Sequence, residues 1–144
     1  MLNYRYGSHT VFNIEYHFVF VTKYRYKVLR GDIANELIKI IRKTCDIFEI
    51  EIESGVVSPD HVHILVSAPP NISPSEIMRR VKGKSAKELL DTFPVLKKRY
   101  WGRHLWARGY FCATSGDVTK EMIEEYLKHH FEPEHKDTFK VEIN

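Results

Sequence analysis

The chain has 144 residues, 43% hydrophobic and 28% charged, an ordinary balance for a globular protein long enough to build a core. No apolar run approaches the ~18 residues of a membrane span, and the opening MLNYRYGSHT lacks a signal-peptide pattern. With two cysteines lacking metal-type spacing, a disulfide scaffold is not expected, and the reading is a cytoplasmic protein of net charge +3 with reduced thiols and no membrane partner.

VFNIEYHFVFVTKY (11–24) alternates and is rich in β-branched and aromatic residues, so it reads as a strand. One face carries Ile14, Tyr16, Phe18 and Phe20; the other carries Glu15, His17, Val19 and Val21. His17 is read as structural. The spacing of Ile33, Leu37, Ile40, Ile41 and Phe48 predicts a helix over 32–48, with Asp32 as its N-cap. A half-exposed strand over 49–58 and a second over 61–68 flank Pro59-Asp60, which predicts a hairpin. Ser73, Pro74 and Glu76 form a capping-box start for a helix that should stop near Phe93-Pro94. A short strand over 109–115 and a last helix over 116–131, capped by Asp117 or Thr119, follow.

The order is β-α-β-β-α-β-α. It predicts an α+β, ferredoxin-like or RRM-like antiparallel sheet with helices on one face and an added C-terminal helix. One domain over 1–144 is expected, with 132–144 as a tail. The fold hosts many functions and names none.

Charge is segregated along the chain. From Arg79 to Arg108 ten Lys and Arg face only Glu88 and Asp91, a balance of +8; from Asp117 to Asn144 the balance is −4. A basic stretch containing Tyr100, Trp101 and Trp106 suits a phosphate-backbone surface. Arg79, Arg80, Lys82 and Lys84 are the main candidate contacts to such a phosphate backbone, with Lys23, Tyr24 and Arg25 at the end of the first strand. Arg103, His104 and Trp106 are candidates for holding or stacking on unpaired bases; Trp106 fits a core position equally well.

In HVHILV (61–66), Val62, Ile64 and Val66 share one face of the strand, and His61, His63 and Leu65 share the other. Two imidazoles in that relation can converge on one divalent ion. Asp60 either orients His61 or simply forms the turn. The last helix offers EEYLKHH (124–130), with Tyr126 and His130 at i and i+4; His129 competes for the same side. A phenol attacks a phosphodiester only where its charge and the phosphate's are stabilised, which a nearby cation provides.

Histidine-hydrophobe-histidine at 61–63, with one downstream helical tyrosine, resembles the single-tyrosine HUH transposases of small bacterial and archaeal insertion sequences, the IS two-hundred/six-hundred-five group. YHFVFVTKYRYKVL (16–29), SPDHVHILVSAPP (58–70), RRVKGKSAKELL (79–90), LWARGYFCATSG (105–116) and IEEYLKHH (123–130) resemble the family's blocks in order. The resemblance implies a homodimer that recognises hairpins in single-stranded DNA and cleaves at a distance from them. It implies Tyr126 as nucleophile, taking the 5′-phosphate and freeing a 3′-hydroxyl. His61 and His63 become metal ligands, and His130 stands where the family often has Gln. The implied cofactor is Mg²⁺ or Mn²⁺. The alternatives are a domesticated relative that processes repeat hairpins, a non-catalytic RRM-like nucleic-acid binder, and a small zinc hydrolase.

Overall fold

A computed structural model describes residues 4–114 and 118–131, without the side chains of Arg103, His129, His130 and Phe131. Predictions that fall on Asp117, on 132–144 or on those side chains lie outside the described residues.

A short antiparallel hairpin of β1 (Arg5–Tyr6) and β2 (Val11–Phe12) opens the chain. It is followed by β3 (Glu15–Val21), α1 (Gly31–Ile47), β4 (Glu51–Ser58), β5 (His61–Ser67), α2 (Pro74–Thr92), a short α3 (Pro94–Arg99), β6 (Phe111–Ala113) and α4 (Lys120–Phe131). The four long-range strands form one antiparallel sheet in the order β4-β5-β3-β6. With α1 and α2 as the crossovers, this is the expected ferredoxin-like arrangement.

The alternation in β3 and β5 divides the sheet. Phe18, Phe20, Val62, Ile64 and Val66 are buried against Leu37, Ile40 and Ile41 of α1 and Ile77, Met78 and Val81 of α2. The opposite face carries a smaller cluster of Val19, Val21 and Leu127, with Phe111, Ile123 and Tyr126 packed on it, so α4 covers that side.

Local differences from the sequence reading have local causes. The predicted strand over 11–24 is divided: β3 ends at Val21, and Lys23–Arg25 make a 3-10 turn. Asp32 is not the N-cap of α1. Arg30 is, without a side-chain bond, and Asp32 sits in the first turn, where its charge faces the positive helix end. Ser73 does cap α2: its Oγ accepts from the Glu76 N–H at 3.1 Å, and Pro74 follows at the first turn. Thr119 caps α4, its Oγ1 accepting from the Met122 N–H at 3.1 Å. Pro94, the predicted stop, also starts α3. Trp106 is core: it is 7% exposed, its ring meets Phe20 edge-on at 4.7 Å, and its Nε1–H donates to buried Ser85 Oγ at 2.9 Å. It is not available to stack on bases, whereas Trp101 is 88% exposed.

Candidate active site

His61 and His63 stand on the α4 side of the sheet, because their neighbours Val62 and Ile64 are drawn into the main core. Antiparallel register places Val19 beside His63 and Val21 beside His61. The same register brings His17 to this face, beside Leu65. His17 Nδ1 lies 3.2 Å from His63 Nε2, and the ring centroids are 5.4 Å apart. His17, read from the sequence as structural, therefore meets a candidate metal ligand on this face. Burial, then the proximity of His17 and His61, holds His63 below the usual histidine pKa. It stays neutral under mild conditions, the form in which imidazole ligates metals.

His61 is held differently. Its Nδ1 lies 2.8 Å from Asp60 Oδ1, so the carboxylate takes the Nδ1–H and Nε2 keeps its lone pair. Asp60 is itself 6% exposed, and Arg25 donates Nε–H to its Oδ2 at 3.0 Å, with Nη2 also 3.0 Å from that oxygen. Burial raises the Asp60 carboxyl, but the hydrogen bonds from His61 and Arg25 outweigh it and keep the pKa below the ordinary value. Thr22 fastens the backbone here: its N–H donates to Asp60 O at 2.9 Å and its Oγ1–H to Tyr26 O at 2.7 Å. Within that turn Tyr24 and Arg25 both have positive φ, 63° and 52°. For side chains of this size the left-handed region costs of order 1–3 kcal/mol per residue.

The donor set fits a divalent ion in part. Two imidazoles share a face, and one of them presents a ring nitrogen whose tautomer is fixed by a carboxylate. Among the described residues no three His, Cys, Asp or Glu side chains cluster closely enough to hold a metal. The third candidate ligand, His130, and its competitor His129 have side chains outside the described residues.

α4 brings Tyr126 to the same sheet face by i, i+3, i+4 packing with Ile123 and Leu127. The ring lies 5.9 Å from Phe111 on β6, and β3 separates β6 from the histidine strand. At about 4.8 Å per strand, that offset is roughly 10 Å. Burial raises the phenol to about 12, the opposite of what a nucleophile needs.

The candidate DNA contacts separate into two groups. Lys23, Tyr24 and Arg25 lie on the turn beside Asp60, with Tyr24 61% exposed and Arg25 committed to the carboxylate. Arg79, Arg80 and Lys84 are on α2, across the sheet from the histidines. With Thr44, Phe48 and Lys87 among its walls, a groove of about 410 Å³ runs there between α1 and α2. Arg79 and Arg80 pair with Glu76 at 2.7 and 2.8 Å, and Lys84 with Glu88 at 3.5 Å. Exposed pairs of this kind are weak and exchange readily for phosphate. Lys82 is different: its Nζ donates to Ala107 O at 2.9 Å and Gly109 O at 2.7 Å, fastening the loop before β6 to α2. Arg103 has its side chain outside the described residues.

Comparison with known families decides the ancestry. The family model for IS200-like transposases matches residues 10–130. The chain belongs to the IS200-like transposase family. Its curated relatives include the transposase for insertion sequence element IS200 of Salmonella typhimurium, 38% identical over 125 residues, 87% of this chain and 82% of that one. The ISDra2 transposase TnpA of Deinococcus radiodurans is 34% identical over 122 residues, 85% and 87% of the two chains. A crystal structure from Deinococcus radiodurans described as a transposase superposes on this IS200-like chain with a TM-score of 0.81 at 32% identity, covering 88% of this chain and 97% of its own. A REP-associated tyrosine transposase bound to a REP hairpin superposes with a TM-score of 0.55 at 16% identity, over 87% and 67%, a likeness of fold. Both the α+β fold and the family expected from the sequence blocks are met. No helix among the described residues is long and apolar enough to cross a membrane.

Proposed function

We propose that this chain cleaves and rejoins single-stranded DNA at the ends of an insertion sequence, through a covalent bond to Tyr126. The observation that supports it best is the shared sheet face: two histidines prepared by Asp60 and His17, and the helix carrying the only tyrosine of EEYLKHH, lie on one side of the molecule. A non-catalytic binder has no need of that combination, and a small zinc hydrolase has no need of the phenol.

His61 and His63, with His130 as third ligand, would hold Mg²⁺ or Mn²⁺. The ion would supply neutralisation of charge on the non-bridging phosphate oxygens. Tyr126 Oη loses its proton and forms the new P–O bond. The P–O3′ bond breaks, and the 3′-oxygen leaves as a hydroxyl after taking a proton. The DNA 5′-phosphate stays on Tyr126, so a later attack by a 3′-hydroxyl reverses the step without an outside energy source. The basic groove on α2 and the turn at Lys23 and Tyr24 would contact the DNA backbone, with the hairpin and the cleavage point on separate surfaces. A homodimer in the cytoplasm, whose α4 helices can serve either subunit, is part of this reading.

The test is incubation with single strands carrying the element ends, with Mn²⁺ or Mg²⁺, and detection of a denaturant-resistant protein–DNA adduct. Wild type should form it, and Tyr126→Phe should bind hairpin DNA without forming it. Adduct at wild-type yield from Tyr126→Phe would remove the phenol from the mechanism. A hairpin-processing role in the chromosome uses the same chemistry, and the presence or absence of paired hairpins around the gene separates the two.

A further inference from the structure

Arg25 is the residue whose surroundings the cleavage reading leaves unused. It begins as a candidate DNA contact, yet its guanidinium is turned inward. Nε and Nη2 both reach Asp60 Oδ2 at 3.0 Å, leaving Oδ1 to His61 Nδ1 at 2.8 Å. One carboxylate thus bridges an arginine and a candidate metal ligand, one oxygen to each.

The backbone is shaped to the same end. Tyr24 and Arg25 take positive φ in succession, a conformation that L side chains rarely adopt. Such strain persists where the surrounding structure over-determines it. Here the fixings are Thr22 N–H to Asp60 O (2.9 Å), Arg25 N–H to Thr22 O (2.9 Å) and Leu29 N–H to Pro59 O (2.9 Å). Together they tie the Lys23–Arg25 turn to the Pro59-Asp60 turn that launches the histidine strand. On this turn the Arg25 side chain reaches back onto Asp60.

We infer that Arg25 is a positioning residue: through Asp60 it holds the His61 ring in one orientation and one tautomer, with Nδ1 protonated and Nε2 aimed outward as the ligand atom. The inference rests on the reading of His61 as a metal ligand. With both guanidinium nitrogens on Oδ2, Oδ1 is the oxygen left to the imidazole. Without Arg25 the carboxylate can turn, and the Nδ1–H bond competes with other orientations of both side chains. The two guanidinium nitrogens anchor Oδ2 while His61 Nδ1 holds Oδ1, so the carboxylate is gripped at both oxygens, and the rigid guanidinium offers Oδ2 two donors in fixed geometry.

The experiment compares wild type with Arg25→Gln and Arg25→Lys in two measurements. The first is the tautomer of His61 in the metal-free protein, read from ¹⁵N ring shifts and assigned with His61→Ala. The second is affinity for Mn²⁺ alone, by calorimetry. Wild type should hold His61 as the Nδ1–H tautomer. Arg25→Gln should show a mixture of tautomers and a Mn²⁺ affinity lower by roughly tenfold to a hundredfold, as for other residues that orient a metal-binding histidine. Arg25→Lys, which keeps the charge, should fold and fall between the two. An unchanged tautomer and affinity in both variants, with only thermal stability reduced, would overturn the proposal and leave Arg25 as a fastener of the turn. A wild-type protein that holds the Nδ1–H tautomer but does not bind Mn²⁺ would overturn the metal reading, and the positioning role with it.

Discussion

Substituting Phe111 by alanine should uncover the Tyr126 phenol. The two rings are 5.9 Å apart, and Phe111 forms part of the apolar floor on which Tyr126 rests. Burial alone raises Tyr126 from the ordinary 10.0 to about 12. A shift of that size means roughly a hundredfold less phenolate at a given pH. The sign follows from proton counting. Between pH ~10 and ~12 the folded chain keeps a proton that the unfolded chain has lost. That stabilisation is complete below pH ~10 and is lost as pH rises through ~12. Wild type labelled at the tyrosine Cζ should therefore show no titration of Tyr126, assigned with Tyr126→Phe, until well above pH 10. In Phe111→Ala the resonance should titrate closer to 10, and the steep loss of stability above pH 10 should soften. Phe111 is only partly buried, so the general cost should stay under the ~3–5 kcal/mol of a core phenylalanine. A wild-type Tyr126 that titrates at 10 would refute the claim that α4 holds the phenol out of water.

Trp106→Phe removes the donor to Ser85 and should cost about 1–3 kcal/mol of stability, measured by urea unfolding, without changing single-strand affinity. Trp101→Ala should do the reverse, since an exposed ring that stacks on a base contributes about 1–3 kcal/mol to binding. Glu53 shares a hydrogen bond with Glu15, which with burial and the charges of Glu15 and Glu51 raises it to about 7. A carbon-detected carboxyl titration should find that value and see it fall toward 4.5 in Glu15→Gln. Replacing Arg79, Arg80 and Lys84 together by glutamine should flatten the dependence of log affinity on log salt, by up to about 0.7 for each single-strand phosphate no longer neutralised. An unchanged salt dependence would take the α2 groove out of the DNA path.

The fold was legible because its core positions repeat. Phe18, Phe20, Val62, Ile64 and Val66 alternate, Leu37, Ile40 and Ile41 recur at helical spacing, and both patterns survive packing because packing is what they serve. The side of the sheet taken by His61 and His63 followed from the same alternation. What was not legible depends on register and on side-chain partners. His17 is 46 residues from His63, and only the pairing of β3 with β5 shows that the rings meet. In sequence Arg25 is a basic residue at a strand end, which fits either a DNA contact or a solvated position, and neither points inward. Its inward turn comes with two residues at positive φ, for which Tyr-Arg carries no sequence signal. Trp101 and Trp106 look alike in sequence, and only burial separates them. Charge counting finds a basic α2 but shows neither that Glu76 pairs with Arg79 and Arg80 and Glu88 with Lys84, nor the carbonyls that hold Lys82.

The two halves of the candidate site are held by different physics. His61 is fixed by a charged carboxylate and a guanidinium, directional contacts between the Lys23–Arg25 turn and the Pro59-Asp60 turn that leads into central strand β5. Tyr126 is fixed by an apolar stripe, with Leu127 the one buried residue of α4 in its cluster among the described residues. A twelve-residue helix is marginal by itself, so that stripe supplies most of what keeps α4 on the sheet. Burying one leucine fully is worth roughly 1.5–3 kcal/mol, and its partly buried neighbours add less. The contrast gives the site a rigid part and a part that can be exchanged at modest cost. On the proposed mechanism, a nucleophile that approaches a phosphate, carries a DNA strand and then returns it suits the second part. Filling the stripe more tightly should therefore stabilise the resting fold and slow adduct formation together, and a variant that does the first without the second would separate α4 packing from the chemistry.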